Sequence, residues 1–373
     1  MGLINIKGDK SVRLIEGRIT MREERMSNKK TKAQKRRRRR RRLFFLELVV
    51  LLILGAGLYV VYQYNKIERT NIDNSYKNPE VELSGGYTNI AFFGLDSREG
   101  ELTAGVLSDT IMIASINNDT KEVKLVSVYR DTLFETTDAE YDVYSTDYRK
   151  ATEAYSVGGP QRAVGMLNKN LDLDITEFVS VNFMALAGAV DVLGGLDIEI
   201  TEDEMVHLNN YSIETSEVTG LSYTPLDTYG MVHLNGVQVT SYCRIRATAG
   251  GDFERTERQR LVLTELLKKL KENPSKVNGL INTVFKNTAS SLTLTDALSM
   301  APSLPSYNLT ETMGFPANNE TMIYEEADCV VPITLAMNVS ELHLFLFGTE
   351  NYQPSETVTT ISDEILWLIE VYE

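Results

Sequence analysis

The sequence predicts an α/β protein, a three-layer α-β-α sandwich with a mixed central sheet, preceded by a single transmembrane helix. Three observations carry this. Strand-like runs alternate with helical patterns from residue 89 onward, which layers helices on a sheet. A turn signal, Asn117-Asn118-Asp119, joins two of the runs as an antiparallel hairpin, so the sheet is mixed. Leu43 to Tyr62 is a run of twenty residues in which only Glu47 is charged, close to the ~20 that cross a bilayer as a helix.

The charge is divided at that run. Residues 1–42 hold 17 Lys and Arg against 4 Asp and Glu, a net of +13, while the whole chain carries −14, which leaves −27 for residues 43–373. Lys35 and the seven arginines Arg36 to Arg42 stand directly before the apolar run, a flank that keeps the N-terminus cytoplasmic and sends the rest of the chain across the membrane. No small-residue cleavage signal comes after the run, so a retained anchor is expected. The division reads as a basic cytoplasmic head (1–42), a membrane helix (43–64), an extracellular stalk (65–86), a folded domain (87–350) and a C-terminal tail (351–373). Whether Met1 or Met26 is the initiator stays open. The basic head is too short and patternless for a folded DNA-binding domain, so no nucleic acid is expected as a partner.

Beyond the stalk, Asn89 to Leu95 is a short apolar strand that runs into Asp96-Ser97-Arg98. Asp109 opens a second strand, and Val123 to Tyr129 forms a third that ends in Arg130-Asp131. The hairpin sets Asp109 opposite the end of the third strand, beside Arg130. With the first strand parallel to the third, Asp96, Arg98, Asp109, Arg130 and Asp131 gather at one sheet edge. Carboxylates beside arginines suit a divalent cation with an anionic oxygen ligand, and oxygen-only chemistry favours Mg²⁺ or Mn²⁺. His207, His233 and His343 are isolated, and no Cys/His spacing suggests zinc. The two cysteines, Cys243 and Cys329, exclude a disulfide framework but leave a single bridge open.

Lys150 to Pro160 reads as a loop into a helix whose apolar positions are Ala163, Met166, Leu167 and Leu171. A second helix spans about Asn182 to Leu193 and stops at Gly194-Gly195. Leu196 to Thr201 alternates as a strand, residues 202–235 read as an irregular acidic insertion, and Val237 to Ile245 reads as a further strand. A helix follows over 254–272. The stretch from Leu280 to Ala301 reads as helical, Asn308 to Pro316 and Glu320 to Val331 as late strands, 332–346 as a closing helix and 355–373 as weakly defined.

Arginine is concentrated in one place. Of ten arginines after the apolar run, five lie between Cys243 and Arg260: Arg244, Arg246, Arg255, Arg258 and Arg260. Extending the apolar stripe of the helix at 254–272 (Leu263, Leu266, Leu267, Leu270) backwards in helical steps lands on Gln259, Arg255 and Asp252. An inward Asp-Arg-Gln row is costly to bury without partners, so it marks a polar site at the edge of a core or a structural ion-pair cluster.

These segments are similar to the ordered motifs of the LytR-CpsA-Psr cell-wall proteins. They are F-F-G-L-D-S-R, S-D-T at 108–110, S-V-Y-R-D-T at 127–132, A-Y-S-V-G-G-P at 154–160, V-D-V-L-G-G at 190–195, and R-I-R followed by G-D-F-E-R-T-E-R-Q-R. The resemblance implies an extracellular domain, anchored in the plasma membrane, that binds a polyprenyl-pyrophosphate-linked glycan. It also implies transfer of the phosphoglycan to a peptidoglycan hydroxyl with Mg²⁺. By matching position Asp96 and Asp109 would be the metal-side carboxylates. Arg98, Arg130, Lys150, Arg244, Arg246 and Arg255 would contact the pyrophosphate. Gln259 and Asp252 would complete the polar end, with Asp252 or Asp131 orienting or accepting a proton. The sequence departs from the family where Tyr129 replaces the usual Pro and where Glu153 is larger than usual. A non-catalytic carrier of the lipid-linked glycan, a pyrophosphatase and a membrane-bound regulator are the alternatives. The prenyl chain needs an apolar tunnel, for which Met166, Phe183, Met184 and Leu186 are candidates or ordinary core.

Overall fold

The computed structural model describes residues 51, 54–76, 78, 86–98, 100–136, 148–248 and 251–372. The chain divides into two units, Met1–Tyr62 and Gln63–Glu373, and the second carries the sheets and the helices packed on them. The strands in chain order are β1 (Glu68–Arg69), β2 (Tyr87–Leu95), β3 (Ser108–Asn117), β4 (Glu122–Val128), β5 (Leu133–Glu135), β6 (Tyr148–Lys150) and β7 (Glu177–Asn182). They continue with β8 (Leu196–Ile200), β9 (Gly230–Leu234), β10 (Thr288–Ser290), β11 (Asn308–Phe315), β12 (Asn319–Tyr324) and β13 (Ala327–Pro332). The helices are α1 (Ala151–Leu171), α2 (Phe183–Leu193), α3 (Glu202–Thr219), α4 (Gly236–Tyr242) and α5 (Gly251–Glu272). After them come α6 (Val277–Val284), α7 (Leu294–Met300), α8 (Leu335–Phe347) and α9 (Glu356–Tyr372).

Seven strands form the central sheet in the order β1-β10-β7-β2-β3-β4-β11. β3 is antiparallel to both β2 and β4, while β2 pairs parallel with β7 and β4 with β11. The sheet is mixed, and β2 and β4 run in the same direction. Alternate residues of each strand serve opposite faces. Ala91, Phe93, Ile111, Ile113 and Val126 pack with α1, α8 and α9 in the largest core. Met112, Ala114 and Phe92 face the other way, toward Leu263 of α5. A further core joins α2, α3, α4, α5, β8 and β9.

Several sequence expectations are corrected. Residues 237–245 are not a strand: α4 begins there because Asn235 and Gln238 form a capping box, each side chain bonding the other's backbone N–H. The alternating Val237 and Val239 imitate a strand because the whole short helix is buried and so has no exposed face. Residues 202–235 are irregular only over 220–229, between a helix and β9. Thr201 and Glu204 form a second capping box, and Glu202, Asp203 and Glu204 place negative charge at the helix N-terminus, so α3 is well started despite few apolar residues. Lys150 to Pro160 is not a loop: Lys150 ends β6, and Ala151 to Pro160 is the first part of α1, kinked where Gly159 takes φ 67 ahead of Pro160. The stretch from Leu280 to Ala301 is broken by β10, and Glu320 to Val331 is a hairpin turning at Glu325-Glu326, both at positive φ.

The end of the chain, read as weakly defined, is helix α9, whose Val358, Ile361, Ile365, Leu368 and Ile369 belong to the largest core. Cys243 and Cys329 are both buried free thiols. Of the expected membrane helix at 43–64, residues 43–50, 52 and 53 lie outside the described residues. Residues 54–64 of it are helical, with Leu54, Leu58, Val61 and Tyr62 exposed. Among the described residues no helix is long and apolar enough to cross a membrane.

Ile365 has 0% exposure. Ile365→Ala is expected to destabilise the domain by about 2–5 kcal/mol through the lost contacts and the cavity left behind. Urea unfolding of the full chain checks this, and an unchanged midpoint would show that α9 is not part of the cooperative core.

Candidate active site

The β3–β4 register pairs Ile111 with Val128, so two steps further on Asp109 lies opposite Arg130. There Arg130 Nη1 donates to Asp109 Oδ1 at 2.7 Å. The same carboxylate accepts from Arg246 Nη2 at 2.8 Å, and Arg255 Nη1 is 3.7 Å away. Arg255 Nη2 also donates to the Asp109 carbonyl. The first turn of α5 supplies the opposing wall. Asp252 and Arg255, three residues apart, share one face, with Asp252 Oδ1 2.9 Å from Arg255 Nη2, 3.6 Å from Arg130 Nε and 3.8 Å from Arg246 Nε. Asp131 carries the network outward, 3.4 Å from Arg130 Nε and 3.1 Å from Lys150 Nζ.

The two central carboxylates are pushed apart in acidity. Burial raises the Asp109 carboxyl, but Arg130, Arg255 and Arg246 outweigh it and hold its pKa below the ordinary value of 3.8. For Asp252 burial prevails over Arg255 and Arg130, with Asp131 adding repulsion, and the pKa is raised. Arg255, only 2% exposed, is brought down to about 10, chiefly by desolvation. Arg130 Nε and Arg255 Nε are buried without a hydrogen-bond partner, as are Asp252 Oδ1 and Asp96 Oδ1. Guanidinium N–H groups without a hydrogen bond are donors for an anionic oxygen.

This cluster closes one end of a cavity of about 360 Å³. Its apolar wall includes Phe92, Met112, Val179, Phe183, Leu186 and Leu266, and Asp96, Arg98, Asp109, Arg244, Arg246 and Arg255 are its charged part. Gly94 leaves room in the floor, since a Cβ there would stand 2.8 Å from Thr110 Cβ. Phe183 and Leu186 thus line the space, whereas Met166 is core beneath α1.

The remaining motif residues hold the frame. Asp191 Oδ1 accepts from the Gly236 N–H at 2.7 Å and fixes the start of α4, from whose end Arg244 and Arg246 project. The Tyr155 hydroxyl is 2.8 Å from both the Leu102 carbonyl and Ser180 Oγ, and Thr152 Oγ1 donates to the Ser108 carbonyl. Arg258 does not face the site. It is buried against Glu204, Glu254, Thr248 and the Ile245 carbonyl, clamping α3 to α5.

Asp109, Arg130, Arg246, Asp252 and Arg255 therefore meet directly, with Asp131 and Lys150 at their side. Arg98 and Arg244 form a second group at Glu214, and Asp96 touches it only through Arg98, at 4.0 Å. Gln259 lines the cavity while its amide donates to the Cys243 carbonyl at 3.3 Å. Sequence reasoning missed Tyr211, Glu214 and Thr215, which surround Arg244. Their i, i+3, i+4 spacing puts them on one helical face, a signal that the Thr201-Glu204 capping box would have licensed.

A divalent cation fits the residues present. Among the described residues no group of three or more His, Cys, Asp or Glu is arranged to hold one. Mg²⁺, however, is commonly held by one or two carboxylates together with substrate phosphates, and Asp96 offers a buried carboxylate oxygen with no hydrogen-bond partner.

Comparison with known proteins gives this arrangement a context. The chain is 28% identical over 258 residues to the polyisoprenyl-teichoic acid–peptidoglycan teichoic acid transferase TagU of Bacillus subtilis, covering 67% of this chain and 73% of that protein. It is 24% identical over 268 residues to TagV of the same organism, covering 68% of this chain and 64% of TagV, just under two thirds of that protein's length. The fold is similar to that of the Bacillus subtilis LytR-CPS2A-psr protein YwtF (TagT) with bound octaprenyl pyrophosphate, at a TM-score of 0.53 and 19% identity, covering 75% of this chain and 100% of that one. Because the LytR_cpsA_psr family model matches residues 58–334, well over half of the sequence, the chain belongs to the LytR_cpsA_psr family.

Proposed function

We propose that this protein is a membrane-anchored phosphotransferase that moves a glycopolymer from a polyprenyl-pyrophosphate carrier to a peptidoglycan hydroxyl. One observation carries the reading: an apolar cavity ends at Arg246 and Arg255, which share Asp109 with Arg130. A long apolar chain attached to a diphosphate matches that division of surface. The TagU and TagV names and the lipid bound to TagT support the substrate class.

In this reading the prenyl chain lies along the apolar wall and the diphosphate meets Arg130, Arg246 and Arg255. Arginine's planar fork fits phosphate oxygens, and these side chains are already fixed by Asp109 and Asp252, so little reorganisation is needed as charge develops. The acceptor hydroxyl oxygen attacks the glycan-side phosphorus. The bond from that phosphorus to the bridging oxygen breaks, prenyl phosphate leaves with the electron pair, and the hydroxyl proton passes to a carboxylate. Asp252 suits that role because burial raises its proton affinity while its arginine neighbours keep it in place. Asp131, held by Lys150, orients Arg130. Asp96 and Asp109 are the residues that would hold Mg²⁺, or Mn²⁺ by the same oxygen preference, and the ion would neutralise charge on the diphosphate. The arginine run before the apolar segment supports a single-pass anchor with the N-terminus cytoplasmic and this domain outside.

Release of prenyl phosphate from a prenyl-diphosphate glycan, with a peptidoglycan oligomer as acceptor, tests the assignment. Arg130→Lys, which keeps the charge but loses the fork, is expected to lower transfer about a hundredfold or more with the fold intact. Full activity in that variant would remove Arg130 from the site. Chelation of divalent cations is expected to stop transfer and added Mg²⁺ to restore it; undiminished turnover in chelator would exclude the metal.

The pH dependence has a definite sign. A proton acceptor works ionised, so transfer should fall as pH drops through the raised pKa of Asp252, above the ordinary 3.8. Asp252→Asn should lower the rate and abolish that acid limb. An unchanged acid limb in the variant would assign the proton to another group.

A further inference from the structure

A carboxylate outside the motifs stands between two of the arginines. Glu214 of α3 places Oε1 2.7 Å from Arg98 Nη2 and Oε2 2.7 Å from Arg244 Nη2. Its pKa is lowered, first by the hydrogen bond from Arg244 and then by the charges of Arg244 and Arg98 against burial, so it is an anion at neutral pH. The partners differ in how firmly they are held. Arg244 has further support, with its guanidinium 4.8 Å from the Phe183 ring, 5.5 Å from the Tyr211 ring and 2.9 Å from Thr215 Oγ1. Arg98 is 60% exposed, and apart from Glu214 its carboxylate neighbour is Asp96 at 4.0 Å. Both arginines line the cavity, and α3 is anchored by the buried Glu204–Arg258 pair.

We propose that Glu214 is a positioning residue that acts through Arg98 and Arg244 by occupying, in the free protein, the place of a phosphate oxygen. The inference rests on the diphosphate reading of the site. A carboxylate presents to two guanidinium forks what a phosphate edge presents, so the two anions compete. Arg244 keeps its place without Glu214, because aromatic faces and a hydroxyl hold it. Arg98 swings free. Removing the charge of Glu214 therefore leaves the arginines available and takes away a negative neighbour of the diphosphate. Glu214 tunes the site toward release: a carboxylate ready to return to the arginines helps prenyl phosphate leave.

The test uses the full chain in detergent with Mg²⁺ and farnesyl diphosphate as the probe, binding being followed by calorimetry. Glu214→Gln is expected to lower Kd about three- to tenfold, the scale of a partly exposed pair of ion pairs. In Arg98→Ala/Glu214→Gln much of that gain should vanish, the two changes being non-additive. In the transfer assay Glu214→Gln should lower KM for the lipid donor while kcat falls or stays level. Equal or weaker binding by Glu214→Gln would overturn the proposal and leave Glu214 as a merely structural brace. Failure of the diphosphate reading gives a different result: binding unaffected by Arg130→Ala, whatever Glu214 does.

Discussion

A carboxylate buried among arginines is the constraint on which the rest of this structure depends. Asp109 alone would be expensive to desolvate, and Arg255, at 2% exposure, equally so. Together with Arg130, Arg246 and Asp252 they form one alternating-charge cluster in which each ion is the other's solvent. The cluster can form only where β3, β4, the end of α4 and the start of α5 converge, so the sheet register and the placement of both helices must all be right. A one-residue slip in β3–β4 would turn Asp109 to the other face of the sheet.

That demand explains the distribution of motif residues. Some of them line the cavity, and others hold backbone in place: Asp191 at the N-terminus of α4, Tyr155 beneath the loop after β2, Arg258 between α3 and α5. Three arginines surround Asp109 and Asp252, and the Nε–H groups of Arg130 and Arg255 are buried without a hydrogen bond. A purely structural ion-pair cluster would be expected to match its buried donors.

The sheet was legible in the sequence wherever one face differed from the other. The hairpin turn at Asn118 and the alternation in β2, β3 and β4 led directly to the Asp109–Arg130 pairing, and the helical period of α5 led to Arg255 and Asp252. Elements without contrast were not legible. The short α4 is buried all round and its valines resemble a strand, and α3 carries so few apolar residues that its period is lost. In both, the capping box was the readable signal, because it depends on backbone satisfaction rather than hydrophobic pattern. Misreading α3 hid Glu214 and Tyr211, and misreading α4 put Arg244 and Arg246 after the wrong element.

The acidic remainder of the chain then acquires a physical sense. Residues 43–373 carry a net −27, yet the arginines collect at one end of an apolar cavity. Under the proposed reading the donor is an anionic polymer on an apolar tail. An acidic surface repels the polymer, so the basic cleft is where its diphosphate is welcome. Affinity at that cleft need not be high, because a lipid-linked donor and a membrane-anchored protein share one surface and meet at raised effective concentration. Weak binding has an advantage here: a site that held the diphosphate with every arginine free would hold the prenyl phosphate product too. A resident carboxylate such as Glu214, exchanging with the phosphate, allows the same arginines to capture one anion and release the next.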